Sequence, residues 1–198
     1  MTPPAIPAKP APELPVILFE DPAAWAAWLE EHHADAPGVW LRLAKKDAPI
    51  RSLSYAEALD EALCYGWIDS QKKSWDGDSW IQKFTPRGKR SLWSRVNRDK
   101  VAALAGRMKP AGLREVERAK EDGRWDAAYD SQRNATVPDD FQAALDADPA
   151  ARDFFATLNG ANRYAVLFRI QTAKKPETRA RRIETLVAML ARNEKIHA

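Results

Sequence analysis

The pair Asp76-Gly77 sits between two runs of alternating residues, "GWIDSQKKSW" and "DSWIQKFTPR", and this arrangement leaves the middle of the chain little choice. Asp-Gly is a favoured two-residue hairpin turn, and a turn sets the register of the strands that it joins. Pairing Trp75 with Asp78 brings Lys73 opposite Trp80, Gln71 opposite Gln82, Asp69 opposite Phe84 and Trp67 near Pro86. Side chains alternate between the two sides of a strand. Trp67, Asp69, Gln71, Lys73, Trp80, Gln82 and Phe84 are therefore expected on one face, with Ile68, Ser70, Lys72, Ile81, Lys83 and Thr85 on the other. Four of the eight tryptophans lie between Gly66 and Asn97, so the hairpin is either a wall of the core or the floor of a binding site.

The flanking segments supply elements for this hairpin to pack on. "VWLRLAKK" alternates and predicts a strand from Val39 to about Lys45. Asp21 followed by Pro22 is a helix start, with Trp25, Trp28, Leu29 and His32 at helical spacing. Ser54 and Glu57 stand at capping-box spacing before "YAEALDEALCY", and Gly66 supplies a stop. Past Pro86 the pattern turns helical: Ser94 caps "RVNRDKVAALAGRM", and "GLREVERAKEDG" ends at Gly123. Pro138, Asp148-Pro149 and Pro176 open further helices, Asn159-Gly160 marks a break, and Ile183, Leu186, Val187 and Leu190 face inward on the last helix. The fold class is α+β, a small mixed or antiparallel sheet including the tryptophan-rich hairpin, packed with helices and followed by a helical C-terminal segment. The expected layout is a disordered Pro/Ala-rich tail over 1–15, an α+β domain over 16–130 and the helical segment over 131–198.

Composition removes several function classes. No stretch approaches the roughly 20 apolar residues of a membrane span, and no secretory signal is visible, so a cytoplasmic protein with no membrane partner is expected. The lone Cys64 allows no internal disulfide and reads as a small buried hydrophobe. Three histidines, two of them adjacent, and one cysteine make no metal-ligand cluster, and "TPRGKRS" fits no phosphate-binding loop, so no metal and no cofactor is expected. The net charge of +3 is too small to argue for nucleic acid by itself.

Several blocks carry a family resemblance: "SYAEALDEALCYGWIDS", "KFTPR", "SLWSRVN", "AGLREVERAKEDGRW" and the closing "FFATLNGANRYAVLFRIQTAKKPETRARRIETLVAML". From about Trp25 onward the chain resembles the YdeI/OmpD-associated, or bacteriocin-protection, family. The resemblance implies protection against bacteriocins or cationic antimicrobial compounds and association with an outer-membrane porin. The expected cytoplasmic location sets the porin aside for this chain. The family implies no catalytic residue, cofactor or substrate.

The chemistry that the residues themselves suggest centres on the hairpin and the loop after it. Asp69 among Trp67, Trp80 and Phe84, with Lys73 on the same face, is a carboxylate that needs a partner, from Arg87, Arg90 or a cationic ligand. Arg87, Lys89, Arg90 and Arg95 crowd the entrance of the Ser94 helix, where free backbone N–H groups favour an anion. Trp93 and Asn97 adjoin that entrance. The expected ligand-binding set is Trp67, Asp69, Lys73, Trp80, Phe84, Arg87, Arg90, Trp93 and Asn97, taking a small anionic or aromatic molecule or a peptide in a protective role. Two alternatives compete: an enzyme using a cleft carboxylate such as Asp69, and a nucleic-acid or protein interaction module using the basic run "AKKPETRARRIE". The structural reading of that run is a solvated helix flank with a Glu177–Arg181 pair.

Overall fold

The computed structural model describes residues 13–197, so most of the tail expected over 1–15 lies outside the described residues. The chain divides into two compact units, one built from residues up to Arg90 together with Leu104–Glu115, the other from Ser91–Ala103 together with the chain from Val116 onward. Each is described by itself.

The first unit is a four-stranded mixed sheet with helices. Strand β1 (Val16–Ile17) runs parallel to β2 (Val39–Ala44), which pairs antiparallel with β4 (Ser79–Pro86), and β4 pairs antiparallel with β3 (Trp67–Ser74), in the order β1-β2-β4-β3. Helix α1 (Pro22–His32) starts where Asp21 accepts the Ala24 N–H at 2.9 Å, with proline at its head. Helix α2 (Tyr55–Cys64) has the reciprocal Ser54–Glu57 capping box. Gly66 follows with φ of 75°, a left-handed conformation that turns the chain directly into β3 and that a side chain resists.

One face of the sheet is closed by aromatic packing. Trp25 of α1 meets Trp67 edge-on with ring centroids 6.3 Å apart, and lies 6.0 Å from Phe84 and 5.3 Å from Phe19. Its indole N–H donates to the Ala58 carbonyl of α2 at 3.1 Å, and that of Trp67 donates to the His33 carbonyl at 3.1 Å. Val39, Leu41, Leu43, Trp67 and Phe84 are buried on this face. The wall-or-floor question is answered for these two hairpin residues: Trp67 and Phe84 are core.

The hairpin register follows the expectation only in part. Trp67 pairs with Pro86 and Asp69 with Phe84, but a bulge between Asp69 and Lys72 shifts the rest by one residue, so that Lys72 pairs with Gln82, Lys73 with Ile81 and Ser74 with Trp80. A one-residue slip moves side chains to the opposite face. Lys73 therefore leaves the face of Trp80; its ammonium stands 4.8 Å over the Trp40 ring, and Lys72 takes the place over Trp80 at 4.1 Å. The turn works through the Asp76 side chain, not a left-handed glycine. One Asp76 oxygen accepts the Asp78 and Ser79 N–H groups and the Ser79 hydroxyl, the other takes Arg42 at 2.7 Å. The Ser79 hydroxyl foremost, joined by the backbone donors and Arg42, holds the Asp76 carboxyl below its usual range.

The rest of the first unit returns to the end of α2. The helix predicted through Met108 stops at Ala103, and a short 3-10 turn over Ala105–Arg107 follows, at the glycine that most weakens the helical run. Arg107 is ion-paired to the buried Glu61, and the Lys109 N–H donates to the Cys64 carbonyl at 3.0 Å. A Cβ on Gly112 would lie 2.2 Å from that same carbonyl oxygen, so only glycine permits this approach.

In the second unit Ser94 caps α3 (Arg95–Ala103) by accepting the Asn97 N–H at 3.1 Å, and its backbone bridges Tyr129. Helix α4 (Pro110–Glu121) contributes its second half, with Val116 and Ala119 buried. Helices α5 (Asp139–Asp146), α6 (Pro149–Thr157), α7 (Gly160–Gln171) and α8 (Pro176–Ala191) enclose a core of Phe141, Leu145, Phe155, Val166, Ile170, Leu186 and Leu190. Asp148 and Asn159 cap α6 and α7 as their sequence positions suggest. Arg179 of α8 grips Asp140 of α5 through two bonds of 2.6 and 2.8 Å, which holds the Asp140 carboxyl below its ordinary range.

Two tryptophans test this account of the core. Trp25 is fully buried and Trp75 is 50% exposed. In urea denaturation Trp25→Ala is expected to cost about 3–5 kcal/mol, whereas Trp75→Ala should stay within about 0.5 kcal/mol of the parent; equal effects would contradict the core assignment.

Candidate functional site

The nine residues singled out by sequence do not form one face. Trp67 and Phe84 are core, and Asp69 is half-buried, with its carboxylate accepting the Tyr55 hydroxyl at 2.8 Å in place of the expected Arg87 or Arg90. Trp80 lies 6.1 Å from the Tyr55 ring under Lys72, Lys73 has moved to the other face, and Arg90 is exposed. Trp93 and Asn97 are buried in the second unit, Trp93 edge-on to Trp125 at 4.9 Å. Trp67 and the buried Arg87 do reach a common notch of about 270 Å³, shared with His33, Gly66, Arg114 and Glu115. Asp69 does not line this notch, and the carboxylate expected as a general acid or base has a tyrosine partner on a half-open surface.

Cys64 is no better placed for chemistry. Burial foremost, then Glu61, pushes its thiol up to about 11 from 9.0. A thiolate is the reactive form, and the nearby Arg107 and Lys109 do not offset its burial.

The larger cleft takes part of its lining from the basic C-terminal run. Between α7 and α8 a groove of about 1050 Å³ opens, floored by Ala165, Phe168, Leu186, Met189 and Ile196. Arg169, Arg181 and Arg182 line it, and among the described residues no carboxylate does. Arg182 is held along the wall by its bonds to the Arg169 carbonyl at 2.5 Å and the Thr172 hydroxyl at 3.3 Å, and Arg169 donates to the Ala165 carbonyl at 3.0 Å. Both guanidiniums are thus positioned by neutral acceptors, and no carboxylate among the described residues compensates their charge. The Glu177–Arg181 pair expected from helical spacing does not form, and Arg181 has no ion pair among the described residues.

The groove is framed by two further contacts. The Tyr164 hydroxyl donates to the Asp130 carbonyl at 2.9 Å, and burial foremost pushes its pKa up to about 12, so it remains a neutral donor at physiological pH. At the other end the buried Asn162 clamps the C-terminal segment: its Oδ1 accepts the His197 N–H at 2.8 Å and its Nδ2 donates to the His197 carbonyl at 3.3 Å. That clamp brings Ile196 and His197 to the groove. Sequence reasoning missed this site because its signal is split. Arg181, Thr185 and Met189 recur every fourth residue on α8, and Ala161, Ala165 and Phe168 recur on α7, but each stripe alone reads as an ordinary helix flank.

Comparison with known proteins divides the chain in a related way. Residues 17–115 match the family model described as a domain of unknown function (DUF8412), and residues 134–193 match the model described as bacteriocin-protection, YdeI or OmpD-associated. The chain belongs to the DUF8412 family by its first half, and its C-terminal helices match the model of the bacteriocin-protection, YdeI or OmpD-associated family. The resemblance noted from Trp25 onward is thereby apportioned: "GWIDS" and "FTPR" fall in the first match, "AKKPETRARRI" in the second. No curated protein and no solved structure gives a significant match. Among the described residues no helix is long and apolar enough to cross a membrane, and no group of three or more His, Cys, Asp or Glu residues is placed to hold a metal ion.

The thiol environment gives a direct check. Raising the Cys64 pKa from 9.0 to about 11 cuts its thiolate fraction at pH 8 about a hundredfold. Iodoacetamide labelling of the folded protein at that pH should be slower than labelling of the urea-unfolded chain by at least that factor; comparable rates would show a reactive thiol.

Proposed function

We propose that the protein binds a small amphiphilic anion, an aromatic or chain-like carboxylate, sulfonate or phosphate ester, in the α7–α8 groove, and that its protective role is sequestration of such a molecule. The observation that carries this reading is a groove of about 1050 Å³ with an apolar floor, three arginines and, among the described residues, no carboxylate in its lining. Small-molecule sites are concave, mostly apolar and oriented by a few polar groups, and their volumes are about 300–1000 Å³. Low-dielectric walls strengthen the field of the guanidiniums within the groove. Arginine presents a planar fork of donors that suits a carboxylate or phosphate.

The same charges work against a cationic peptide as occupant. Three uncompensated arginines repel it, so protection from cationic antimicrobials by direct capture in this groove is disfavoured. Capture of an anionic amphiphile fits the geometry and remains compatible with a resistance role. A cytoplasmic setting belongs to this proposal, supported by the single buried thiol. The hairpin-side notch is smaller, and Glu115 stands beside its cations, so the groove is the better anion site.

Anilinonaphthalene sulfonate, which joins an aromatic body to one fixed anion, tests the reading. The folded protein should bind it saturably with enhanced fluorescence and a raised melting temperature. Arg181→Glu, at an exposed position outside the core, should weaken binding about tenfold or more while leaving the ligand-free melting temperature within about 2 °C. Unchanged affinity in Arg181→Glu, or binding only near the melting transition, would overturn the assignment.

A further inference from the structure

Helices α1 and α2 cover one face of the sheet through Trp25 and its neighbours; the residues of the opposite face remain partly open. Its register places Trp40 beside Lys83 across β2 and β4, Arg42 beside Ile81, and Lys73 beside Ile81 across β3 and β4. Trp40, Arg42, Ile68, Lys83 and Thr85 are half-buried and Lys73 is exposed. The bulge at Asp69/Lys72 creates this composition, since it is what carries Lys73 to the face of Trp40.

The charges here are unbalanced in the same sense. Arg42 is neutralised by Asp76, and Asp78 is an exposed carboxylate of the turn. Lys73 and Lys83 have no ion pair among the described residues, and the Lys45 ammonium is held by the Asp76 and Gly77 carbonyls at 2.8 and 2.9 Å, which position it without cancelling its charge. Trp75, two residues beyond Lys73, is 50% exposed. A half-exposed tryptophan at the hairpin turn offers a ring face on which a base can stack.

We infer that this face of the sheet binds single-stranded nucleic acid, with Trp75 stacking on a base, Trp40 stacking on another once the Lys73 ammonium over its ring turns to a phosphate, and Lys45, Lys73 and Lys83 neutralising phosphates. The chemistry is that of an aromatic platform lined by cations, which every base can use because every base has a π-face. Spacing separates this occupant from an anionic bilayer. Trp40 lies four residues before Ala44, which pairs with Ser79 at the turn, so it stands about 13 Å back along the strand. The aromatic groups follow a track along the sheet, which fits a linear polyanion, whereas a bilayer meeting the turn would reach Trp75 and its neighbouring Asp78 but not Trp40. This surface lies in the first unit and does not depend on the groove of the second.

The test is fluorescence anisotropy of a fluorescein-labelled single-stranded oligothymidylate, titrated with the full chain over a range of salt concentrations. Three neutralised phosphates give a log–log salt slope of about −2. Trp75→Ala should lower affinity about tenfold with that slope unchanged, and Lys73→Ala/Lys83→Ala should reduce the slope by about 1.4. These exposed or half-exposed positions leave the fold intact, checked by circular dichroism. Three results would overturn the inference. They are no oligonucleotide binding at low salt, binding of phosphatidylglycerol vesicles without oligonucleotide binding, and loss of oligonucleotide binding in Arg181→Glu but not in Trp75→Ala.

Discussion

The contact of Trp25 with Trp67 and Phe84 is the constraint on which the first unit depends. One indole joins three elements: its ring closes the face of the sheet, and its N–H is satisfied by the carbonyl of Ala58 on α2. Buried tryptophan combines a large apolar area with a donor that must find an acceptor, so it fixes both distance and orientation. Once it is seated, Trp67 is core, its own N–H reaches the His33 carbonyl, and β3 must leave the end of α2 through a left-handed Gly66. The glycine approach of the 104–115 segment to the Cys64 carbonyl completes the same corner.

The second unit solves a different problem. Its helices are short, and their ends are handled by side-chain caps at Asp148 and Asn159 and by the Arg179–Asp140 grip that ties α5 to α8. The core takes Leu186 and Leu190 from α8, while the next stripe round that helix, with Arg181 and Met189, is left to the groove. A groove survives because Asn162 holds the C-terminal segment at its end through two hydrogen bonds, which fixes Ile196 in its wall without filling it. Arg179, which meets a carboxylate, ties α5 to α8, whereas Arg169 and Arg182, which meet carbonyls and a hydroxyl, line the groove.

The two open surfaces share a logic. In each, cations are fixed by neutral acceptors beside exposed apolar or aromatic groups, Arg182 by the Arg169 carbonyl and Lys45 by two turn carbonyls. Holding a charge in place without cancelling it preserves its attraction for an anion and lowers the ordering cost of binding. They differ in form, a concave site for a compact amphiphile and an extended face for a linear one.

Local signals in the sequence determined most of the elements. The Asp21-Pro22 start, the Ser54–Glu57 box, the alternation of Val39 to Ala44, the start at Asp148-Pro149 and the break at Asn159-Gly160 all depend on interactions within a few residues, and they appear as expected. The family relation was legible for the same reason, since motifs are local strings. Tertiary structure alone decided the bulge after Asp69, because a strand's register answers to both of its neighbours and not to its turn alone. It decided that Trp67 and Phe84 are walls while Trp75 is free, since burial is a property of what packs opposite. It also decided that Arg169 of α7 meets Arg181 and Arg182 of α8, twelve and thirteen residues further on, over one apolar floor, a convergence that neither helix shows alone.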